Sequence, residues 1–420
     1  MHVLVIGAGV IGVTTAFELR ERGCEVTVLD RRPGVAQEAS YGNAGVISTA
    51  YAGPWAQPGM PSKILGYLWR SHSPVIFRPS LEPAQWGWMA RWLGECRLQR
   101  FRVNKLRMQR LAEYSRTVLH EVRRRHAIDY EQAKGWLQLF RTDADVERAR
   151  PSIDVLSQGG VAHRLLDAGD CRVLEPALVE GTPLAGGLHL PDEETGNCAY
   201  FTRRIKDLAA RSGVDFRFDT PVTGLAIAGG RFIEARTAAG PVRADAVVVA
   251  AGADSRRLLR GAGIRVPLYP VKGYSLTVQI TRHEFAPTVS IMDEAYKVAV
   301  TRMGNRLRIA GTAELGSRRL ALRDAALGTL LKVARDWFPG AAAYGQSRPW
   351  VGARPMLPDG PPVLGPTALP NLFLNLGHGS TGWAMACGSA RIVADLVAGA
   401  TPQIDLEGLT LQRFSRRGSP

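Results

Sequence analysis

Residues 2–12, HVLVIGAGVIG, decide the fold of this chain. The apolar run 2–6 predicts a buried parallel strand, and the glycines after it predict a tight turn into a helix that extends to about Arg22. In such a turn Gly7 bends the chain, Gly9 lets a pyrophosphate reach the backbone, and Gly12 lets helix and strand pack closely. The helix N-terminus adds partial positive charge, so the segment predicts a dinucleotide-binding unit.

The next stretch of the chain supports the same unit. Residues 25–29, EVTVL, predict a second strand, which ends in Asp30, where an acidic side chain would bind the adenosine ribose hydroxyls. This complete unit of strand, glycine turn, helix, second strand and terminal acid occurs once in the sequence, so we expect one dinucleotide, and the pattern alone does not separate FAD from NAD. If the dinucleotide is a flavin, its electrons must leave to oxygen, a quinone or a carrier protein.

Composition limits the class of protein. With 420 residues, 45% of them hydrophobic and 22% charged, the chain is expected to be globular, with two intertwined domains and no disorder. The net charge of +15 favours anionic partners, or only reflects arginine-rich solvated faces. Five scattered cysteines without a CxxC pair argue against a structural zinc site, so no metal is predicted. The odd and sparse set of cysteines also favours a reducing compartment, so we expect a cytoplasmic location, and no run of apolar residues is long enough to span a bilayer.

Three later segments suit a flavin. The small-residue loop 40–45 permits close approach to a flat ring, and the apolar strand 246–250 leads into Ala251 and Gly252. A strand over 372–376 precedes the second glycine-rich helix start, 377–382, which would stabilise negative charge on a reduced flavin. His378 in this turn is either a structural histidine or a candidate base.

Several longer segments carry a resemblance that spans nearly the whole chain. They include AYAGPWAQPG (50–59), HLPDEETGNC (189–198), YPVKGYSL (269–276), MDEAYKVAVTR (292–302), ARPMLPDGPPVLG (353–365) and GHGSTGWAMACGS (377–389). Together with the N-terminal fingerprint, they resemble the D-amino acid dehydrogenase small-subunit family, within the wider D-amino acid oxidase, glycine oxidase and sarcosine oxidase superfamily. The resemblance implies FAD as the cofactor.

The resemblance also implies the residues of the site. Tyr296 and Arg354 match the pair that grips the substrate carboxylate, Val222 would meet the adenine, and Gly252 would lie near the pyrophosphate. The residues expected to bind FAD are Gly7, Gly9, Val10, Ile11, Gly12, Asp30, Arg31, Ser40, Asn43, Ala44, Gly45, Val46, Val222, Ala251, Gly252, Gly379, Ser380, Thr381, Gly382 and Trp383.

Arg354 also suits a carboxylate without the family. It lies on a small-residue turn bounded by proline, and its guanidinium is a bidentate fork for a carboxylate. The alternative is a salt bridge to Asp359 or another acid. For Tyr296 the alternative is a core aromatic in a strand.

The implied reaction is the oxidative deamination of a D-amino acid to a 2-oxo acid and ammonia, with hydride transfer to flavin N5 and electrons passed to a quinone or another respiratory carrier. Glycine, N-methyl amino acids or D-proline and hydroxyproline are alternative substrates within the superfamily. A tRNA-acting flavoprotein is the alternative of a different class; the family match disfavours it, so no nucleic acid is expected.

The fold predicted from these segments is α/β, with a discontinuous Rossmann-like FAD domain and an α+β substrate domain that contains an antiparallel sheet. We place the FAD domain at 1–50, 196–267 and 348–420, and the substrate domain at 51–195 and 268–347. Runs 274–280, 297–302 and 306–310 predict the antiparallel sheet, while 215–219, 222–227 and 231–237 predict a β-meander.

The segment 55–125 combines tryptophan and arginine. Its tryptophans and basic residues either form a peripheral contact with the acidic cytoplasmic face of the inner membrane, or pack the substrate domain and cover a solvated helix. Both interpretations stay open from the sequence. The residues concerned are Trp55, Trp69, Trp86, Trp88, Trp92, Arg97, Arg100, Arg102, Lys105, Arg107, Arg110 and Arg123, Arg124 and Arg125.

Overall fold

The computed structural model describes residues 1–67, 72–158, 160–316 and 319–415. Within these residues the α-helices are α1 (Val10–Glu21), α2 (Met60–Tyr67), α3 (Pro83–Glu95), α4 (Leu98–His126), α5 (Asp143–Gln158), α6 (Ala168–Leu174), α7 (Cys198–Arg211), α8 (Ser255–Gly261), α9 (Asp324–Trp337) and α10 (Gly382–Val397). The strands are β1 (His2–Ile6), β2 (Glu25–Leu29), β3 (Val46–Ile47), β4 (Val75–Phe77), β5 (Ala133–Phe140), β6 (Arg164–Leu166), β7 (Gly186–Thr195), β8 (Asp215–Arg217), β9 (Val222–Ala228), β10 (Arg231–Thr237), β11 (Gly240–Arg243), β12 (Ala246–Val249), β13 (Tyr269–Gln279), β14 (Ser290–Asp293), β15 (Val298–Met303), β16 (Arg306–Leu315), β17 (Arg348–Met356), β18 (Val363–Pro366) and β19 (Leu372–Leu376).

The first sheet has six strands in the order β18-β19-β12-β1-β2-β8. β1 pairs in parallel with β2 and β12, and β12 pairs in parallel with β19, whereas β18 is antiparallel. Successive side chains of β1 enter different cores: Val3 and Val5 pack with α1, α7 and α10, while Leu4 and Ile6 pack with α8 and β9–β11. Both faces of β1 are therefore covered by apolar cores. This explains why its apolar residues do not alternate with polar ones.

The predicted β-meander is partly wrong. β9, β10 and β11 form a three-stranded antiparallel sheet, but β8 pairs in parallel with β2 instead. Helix α7 precedes β8 and packs in the same core as α1, β1 and β2, so the residues that follow it reach the free edge of β2.

The second large sheet has ten strands, with the main order β17-β13-β16-β15-β14-β5-β7-β3. Its pairs are antiparallel except β14 with β5 and β16 with β4. The predicted strands 274–280, 297–302 and 306–310 fall in β13, β15 and β16, which are antiparallel neighbours. Helix α9 packs on this sheet, where Leu330, Val333 and Trp337 join its core.

The chain passes repeatedly between the two large sheets. The first sheet draws strands from the beginning, middle and end of the sequence, and the predicted α/β architecture with a separate antiparallel sheet is confirmed. The domain limits at residues 50, 195, 267 and 347 stay a prediction. Across the described ranges, no helix combines the length and apolar character that crossing a membrane demands.

Candidate active site

A cavity of about 1820 Å³ is lined by residues of both large sheets. It meets the first sheet at the carboxyl ends of β1 and β12, through Ile6, Gly7 and Ala251. Ligands of open α/β sheets bind at such strand ends. Every residue predicted to bind FAD or substrate lines this cavity except Gly12.

Gly12 acts through packing instead. A Cβ at this position would overlap the backbone oxygen of Gly7, so only glycine lets α1 start this close to β1. Gly7 itself has φ of +110°, and a Cβ there would lie 2.5 Å from the Ala250 oxygen. These two glycines therefore fix the strand–turn–helix geometry, as the fingerprint predicts.

Asp30 lies at the end of β2 and closes the turn. Its carboxylate accepts hydrogen bonds from the backbone N–H of Ala8 at 2.6 Å and of Arg32 at 2.8 Å. Burial raises the pKa of Asp30, against the opposing effect of these two hydrogen bonds. The neighbouring Arg31 lines the cavity while its guanidinium pairs with Glu38 and Asp254.

The loop 40–46 is held from the second sheet. Arg308 on β16 donates to the backbone oxygens of Tyr41 at 2.9 Å and Asn43 at 3.1 Å, and Thr301 on β15 donates to the Ala44 oxygen at 2.7 Å. Arg308 is buried, and burial lowers its pKa to about 10. No strand of the described chain donates to these two backbone carbonyls, so the buried guanidinium of Arg308 supplies the hydrogen bonds.

The second glycine-rich turn leads into α10 and carries His378 through Trp383. His378 is 3% exposed, and its Nε2 lies 3.0 Å from Ser389 Oγ. Burial lowers the pKa of His378 to about 3, so the ring is neutral near pH 7 and a weak base. This geometry favours the structural interpretation of His378. Ser380 accepts a hydrogen bond from Trp55 Nε1 at 3.0 Å, which joins this turn to the segment before α2.

Arg354 lies on β17 with its guanidinium in the cavity. Its Nη1 donates to the Lys272 backbone oxygen at 3.0 Å, and its Cζ lies 5.8 Å from the Trp55 ring centroid. Within the described residues, no carboxylate forms an ion pair with Arg354. The alternative partner Asp359 pairs with Arg413 at 2.7 Å, so that interpretation is wrong.

Burial lowers the pKa of Arg354 to about 10. A half-buried cation without a counter-ion is poorly compensated, and an anionic ligand in the cavity would supply the missing charge. Gly273 on the adjacent strand provides the room, because a Cβ there would overlap the guanidinium.

Tyr296 lies between β14 and β15 and lines the same cavity. Its ring centroid lies 4.8 Å from the Arg141 Cζ and 5.5 Å from the Lys332 Nζ, both at cation–π distance. Arg141 is itself fixed by Asp293 at 2.8 Å and Asp336 at 2.7 Å. Tyr296 also packs against the core of the second sheet, so it joins core and cavity.

The family described as "DAO: FAD dependent oxidoreductase" matches residues 2–396. The chain belongs to this FAD-dependent oxidoreductase family. FAD is therefore its cofactor, and the resemblance found in the motifs is confirmed.

Relatives within the FAD-dependent oxidoreductase family match over the full length. A D-amino acid dehydrogenase of Agrobacterium fabrum is 44% identical over 99% of this chain and 100% of its own. A D-amino acid dehydrogenase of Methylobacterium nodulans is 46% identical over 99% of both chains. The crystal structure of glycine oxidase from Geobacillus kaustophilus superposes with a TM-score of 0.75 at 24% identity, over 98% of both chains. This last likeness shows the common fold.

The cavity residues fit the cofactor of the family. Thr381 Oγ1 and Trp383 Nε1 both line the cavity and are buried with no hydrogen-bond partner among the described residues. Such groups are costly unless a ligand binds them. The cavity volume also exceeds the roughly 300–1,000 Å³ usual for one small-molecule pocket. The oxidoreductase cavity thus has room for FAD and a further ligand.

Sequence reasoning missed three residues of this site. Arg308 and Arg141 stand in a strand or after one, and Gly273 lies in the quoted segment 269–276 but was given no role there. Their contacts join segments that are distant in sequence, such as Arg308 with Tyr41 and Arg141 with Asp336. No signal in a single sequence marks such contacts.

In the tryptophan- and arginine-rich segment, some residues pack in the core and others are exposed, so each of the two interpretations fits a part of it. Trp88 and Trp92 are buried and pack beneath the second sheet, whereas Trp86 is 48% exposed. Trp69 lies outside the described residues. Arg97, Arg100 and Arg102 are exposed near the start of α4.

Proposed function

We propose that this protein is a D-amino acid dehydrogenase. The observation that carries the proposal is Arg354, a half-buried cation without a carboxylate partner among the described residues, in the same cavity as the glycine-rich FAD cradle. An α-amino acid offers the carboxylate that this cation lacks. The full-length relatives named D-amino acid dehydrogenase support the choice of substrate.

The cofactor is held along the cavity by the predicted residues. Gly7, Gly9 and Asp30 bind the ADP half, where α1 begins. The loop 40–46 and the turn 379–383 line the flavin, and Thr381 and Trp383 bind it with their unpaired polar atoms. Val222 meets the adenine and Gly252 the pyrophosphate.

Arg354 and Tyr296 bind the substrate carboxylate and orient the α-carbon. Bound FAD would supply the hydride acceptor for the chemistry at that carbon. The overall reaction consumes the amino acid, water and an oxidised acceptor, and yields the 2-oxo acid, ammonia and the acceptor with two added electrons and two protons. His378 is neutral and bonded to Ser389, so the amine loses its proton to solvent and needs no protein base.

The acceptor in this proposal is a quinone or another respiratory carrier, reached at a membrane surface. Leu98, Val103 and Leu106 on α4 are exposed hydrophobic residues, and Arg97 and Arg102 are exposed beside them. Apolar side chains flanked by arginines suit the interface of an anionic bilayer. The protein would then act in the cytoplasm and attach reversibly to the inner membrane.

The experiment that tests the proposal is anaerobic mixing of the FAD-loaded protein with D- and L-amino acids, followed by the absorbance of oxidised flavin. We expect D-alanine or D-proline to bleach the flavin while the L-forms do not. Arg354→Ala should raise the substrate concentration for half-maximal bleaching about 100-fold, from about 3 kcal/mol of lost charge-assisted hydrogen bonding.

The matched control is Arg348→Ala, which removes an exposed arginine from the same strand. This control should behave like the unmodified protein. A yellow protein that no D-amino acid bleaches would refute the substrate assignment, and glycine, sarcosine and hydroxyproline would identify the alternative. Bleaching of Arg354→Ala at normal substrate concentrations would refute the carboxylate clamp.

A further inference from the structure

Two non-glycine residues in the cavity wall have a left-handed backbone conformation. Lys297, between β14 and β15, has φ of +51°, and Thr312, on β16, has φ of +41°. The other described non-glycine residues with positive φ do not line the cavity. A left-handed backbone is unfavourable for a residue with a Cβ, and such residues concentrate at functional sites. The backbone therefore distinguishes this part of the wall from the rest.

These two residues adjoin the proposed carboxylate clamp of Arg354 and Tyr296. Thr312 follows Gly311 directly, and a Cβ at Gly311 would lie 2.9 Å from the Lys297 backbone oxygen. Arg354 Nη2 donates to the Gly311 backbone oxygen at 3.5 Å. Tyr296 immediately precedes Lys297 in the chain. Lys297 thus lies beside the place where the clamp would hold the carboxylate and the α-carbon.

The ammonium group of Lys297 is a charged donor in this wall. It forms an ion pair with Glu294, which also lines the cavity, while 44% of the Lys297 side chain stays exposed. Burial acts against the charged form of Lys297, but Glu294 and the Tyr51 hydroxyl outweigh it and raise its pKa. Because an ammonium group carries three N–H donors, the exposed part of Lys297 can bind a ligand beside Glu294.

The wall next to Lys297 is apolar. Side chains of β14 alternate, so Ile291 enters the core of the second sheet under α9, whereas Met292 faces the other way and packs with Ala50. Ala50, Tyr51, Met292 and Lys297 all line the cavity, and we call them the side-chain subsite. The subsite offers a short apolar surface that ends in one charged donor.

The charges of the side-chain subsite favour a neutral ligand. Glu294 already neutralises Lys297, so an anionic side chain would compete with Glu294, and a cationic one would be repelled by Lys297. A carboxamide carries an acceptor oxygen without a charge. A wholly aliphatic side chain would remove water from the ammonium group and return no hydrogen bond, which is unfavourable.

We propose that Lys297 determines specificity for the substrate side chain, by donating a hydrogen bond to the oxygen of a carboxamide. D-Asparagine is then preferred to the nearly isosteric D-leucine. The inference rests on the proposed dehydrogenase function and adds the class of side chain that the enzyme recognises. Lys297 acts in binding alone and takes no part in the transfer of the hydride.

The test compares the anaerobic bleaching of the FAD-loaded protein by D-asparagine and by D-leucine. The unmodified protein should reach half-maximal bleaching at a lower concentration of D-asparagine. In Lys297→Met, which keeps the side-chain length but removes the charge, the concentration for D-asparagine should rise about tenfold relative to that for D-leucine, as expected for one lost hydrogen bond. Lys297→Arg keeps a cationic donor and should keep the preference.

Lys134→Met is the control, because Lys134 is exposed on β5 and does not line the cavity. This variant should keep the preference of the unmodified protein. Equal rises for D-asparagine and D-leucine in Lys297→Met would overturn the inference, since Lys297 would then only support the clamp or the fold. A stronger response to D-aspartate than to D-asparagine would overturn the choice of a neutral side chain.

A titration without turnover separates this inference from the proposed function. Succinamate and isocaproate carry the carboxylate and side chain of asparagine and leucine without the amine, so the protein cannot deaminate them. Changes in flavin absorbance of the oxidised, FAD-loaded protein should show tighter binding of succinamate, and Lys297→Met should remove the difference. This result supports the subsite even if no D-amino acid reduces the flavin. Equal affinities, or no saturable binding of either acid, overturn the subsite whatever the substrate test shows.

Discussion

At the scale of single residues, the site depends on where side chains are absent as much as on where they are present. Gly273 lies against the Arg354 guanidinium, and the substitution Gly273→Ala places a methyl group in that space. We expect the guanidinium to move and the KM for the D-amino acid to rise about tenfold or more, because even a small displacement of a binding group weakens its bonds to the substrate. Steady-state kinetics with D-alanine measure this change.

The matched control for that change is Gly224→Ala, a strand glycine with free space around its Cβ position. Its kinetics should equal those of the unmodified protein. FAD content should be normal in both variants, and an unchanged KM in Gly273→Ala would show that Gly273 does not position Arg354.

The buried, neutral state of His378 predicts how the stability of the fold depends on pH. Its pKa is lowered to about 3 in the folded protein, so the unfolded chain binds the proton more readily between that value and the ordinary pKa of about 6.5. Folded stability is therefore complete above about pH 6.5 and is lost as pH falls. We expect His378 alone to lower the free energy of unfolding by about 2 kcal/mol when the pH falls from 7 to 5.

The measurement for this prediction is urea unfolding of the FAD-loaded protein at both pH values, compared with His378→Gln. The loss of unfolding free energy on acidification should be smaller in the variant by that amount. Equal losses in the two proteins would mean that His378 is not buried in its neutral form.

At the scale of elements, the loop 40–46 is held in place by hydrogen bonds from β15 and β16 of the second sheet. The substitution Arg308→Met leaves the carbonyls of Tyr41 and Asn43 without their donor. We expect the affinity for FAD to fall about tenfold to 100-fold, from about 1–3 kcal/mol for buried groups left without partners. Titration of the FAD-free protein with FAD measures the affinity.

Arg306→Met is the control for this change, because Arg306 is two residues away on the same strand and pairs with Glu131 at 2.7 Å. This variant should bind FAD normally. If Arg308→Met also bound FAD normally, the loop would be positioned by Thr301 and its own hydrogen bonds.

The elements show why the sequence predicts some parts of this molecule and misses others. β1, α1 and β2 follow from local rules, since glycine spacing and apolar runs act over a few residues. The sequence predicts β8 as part of the meander because its three residues carry no sign of the sheet they join, and only the folded chain shows that β8 pairs with β2. The family motifs predict Arg354 and Tyr296, whereas Arg308 and Arg141 matter through contacts that only the folded chain makes.

At the scale of the whole molecule, the net charge of +15 and the exposed apolar residues of α4 act together. We expect the protein to float with anionic vesicles at low salt and to be released by about 0.5 M salt, because screening shortens the reach of its charges. The substitution Leu98→Glu combined with Leu106→Glu should reduce binding even at low salt.

Val173→Glu serves as the control for vesicle binding, since it adds the same charge at an exposed apolar residue on α6. It should float like the unmodified protein. Absence of binding to anionic vesicles at low salt would contradict membrane attachment and leave a soluble electron acceptor.

The passage of the chain between the two sheets also governs how the protein is made. β1 leaves the ribosome first, yet its neighbour β12 follows some 240 residues later, and the turn that completes the FAD cradle ends at Trp383. A nascent chain therefore carries half a cradle through most of its synthesis, with apolar strands that have no partner. FAD can be captured in full only after the turn that ends at Trp383 has emerged, so loading with the cofactor follows the synthesis of both sheets, and a chain that stops before this turn lacks a complete site.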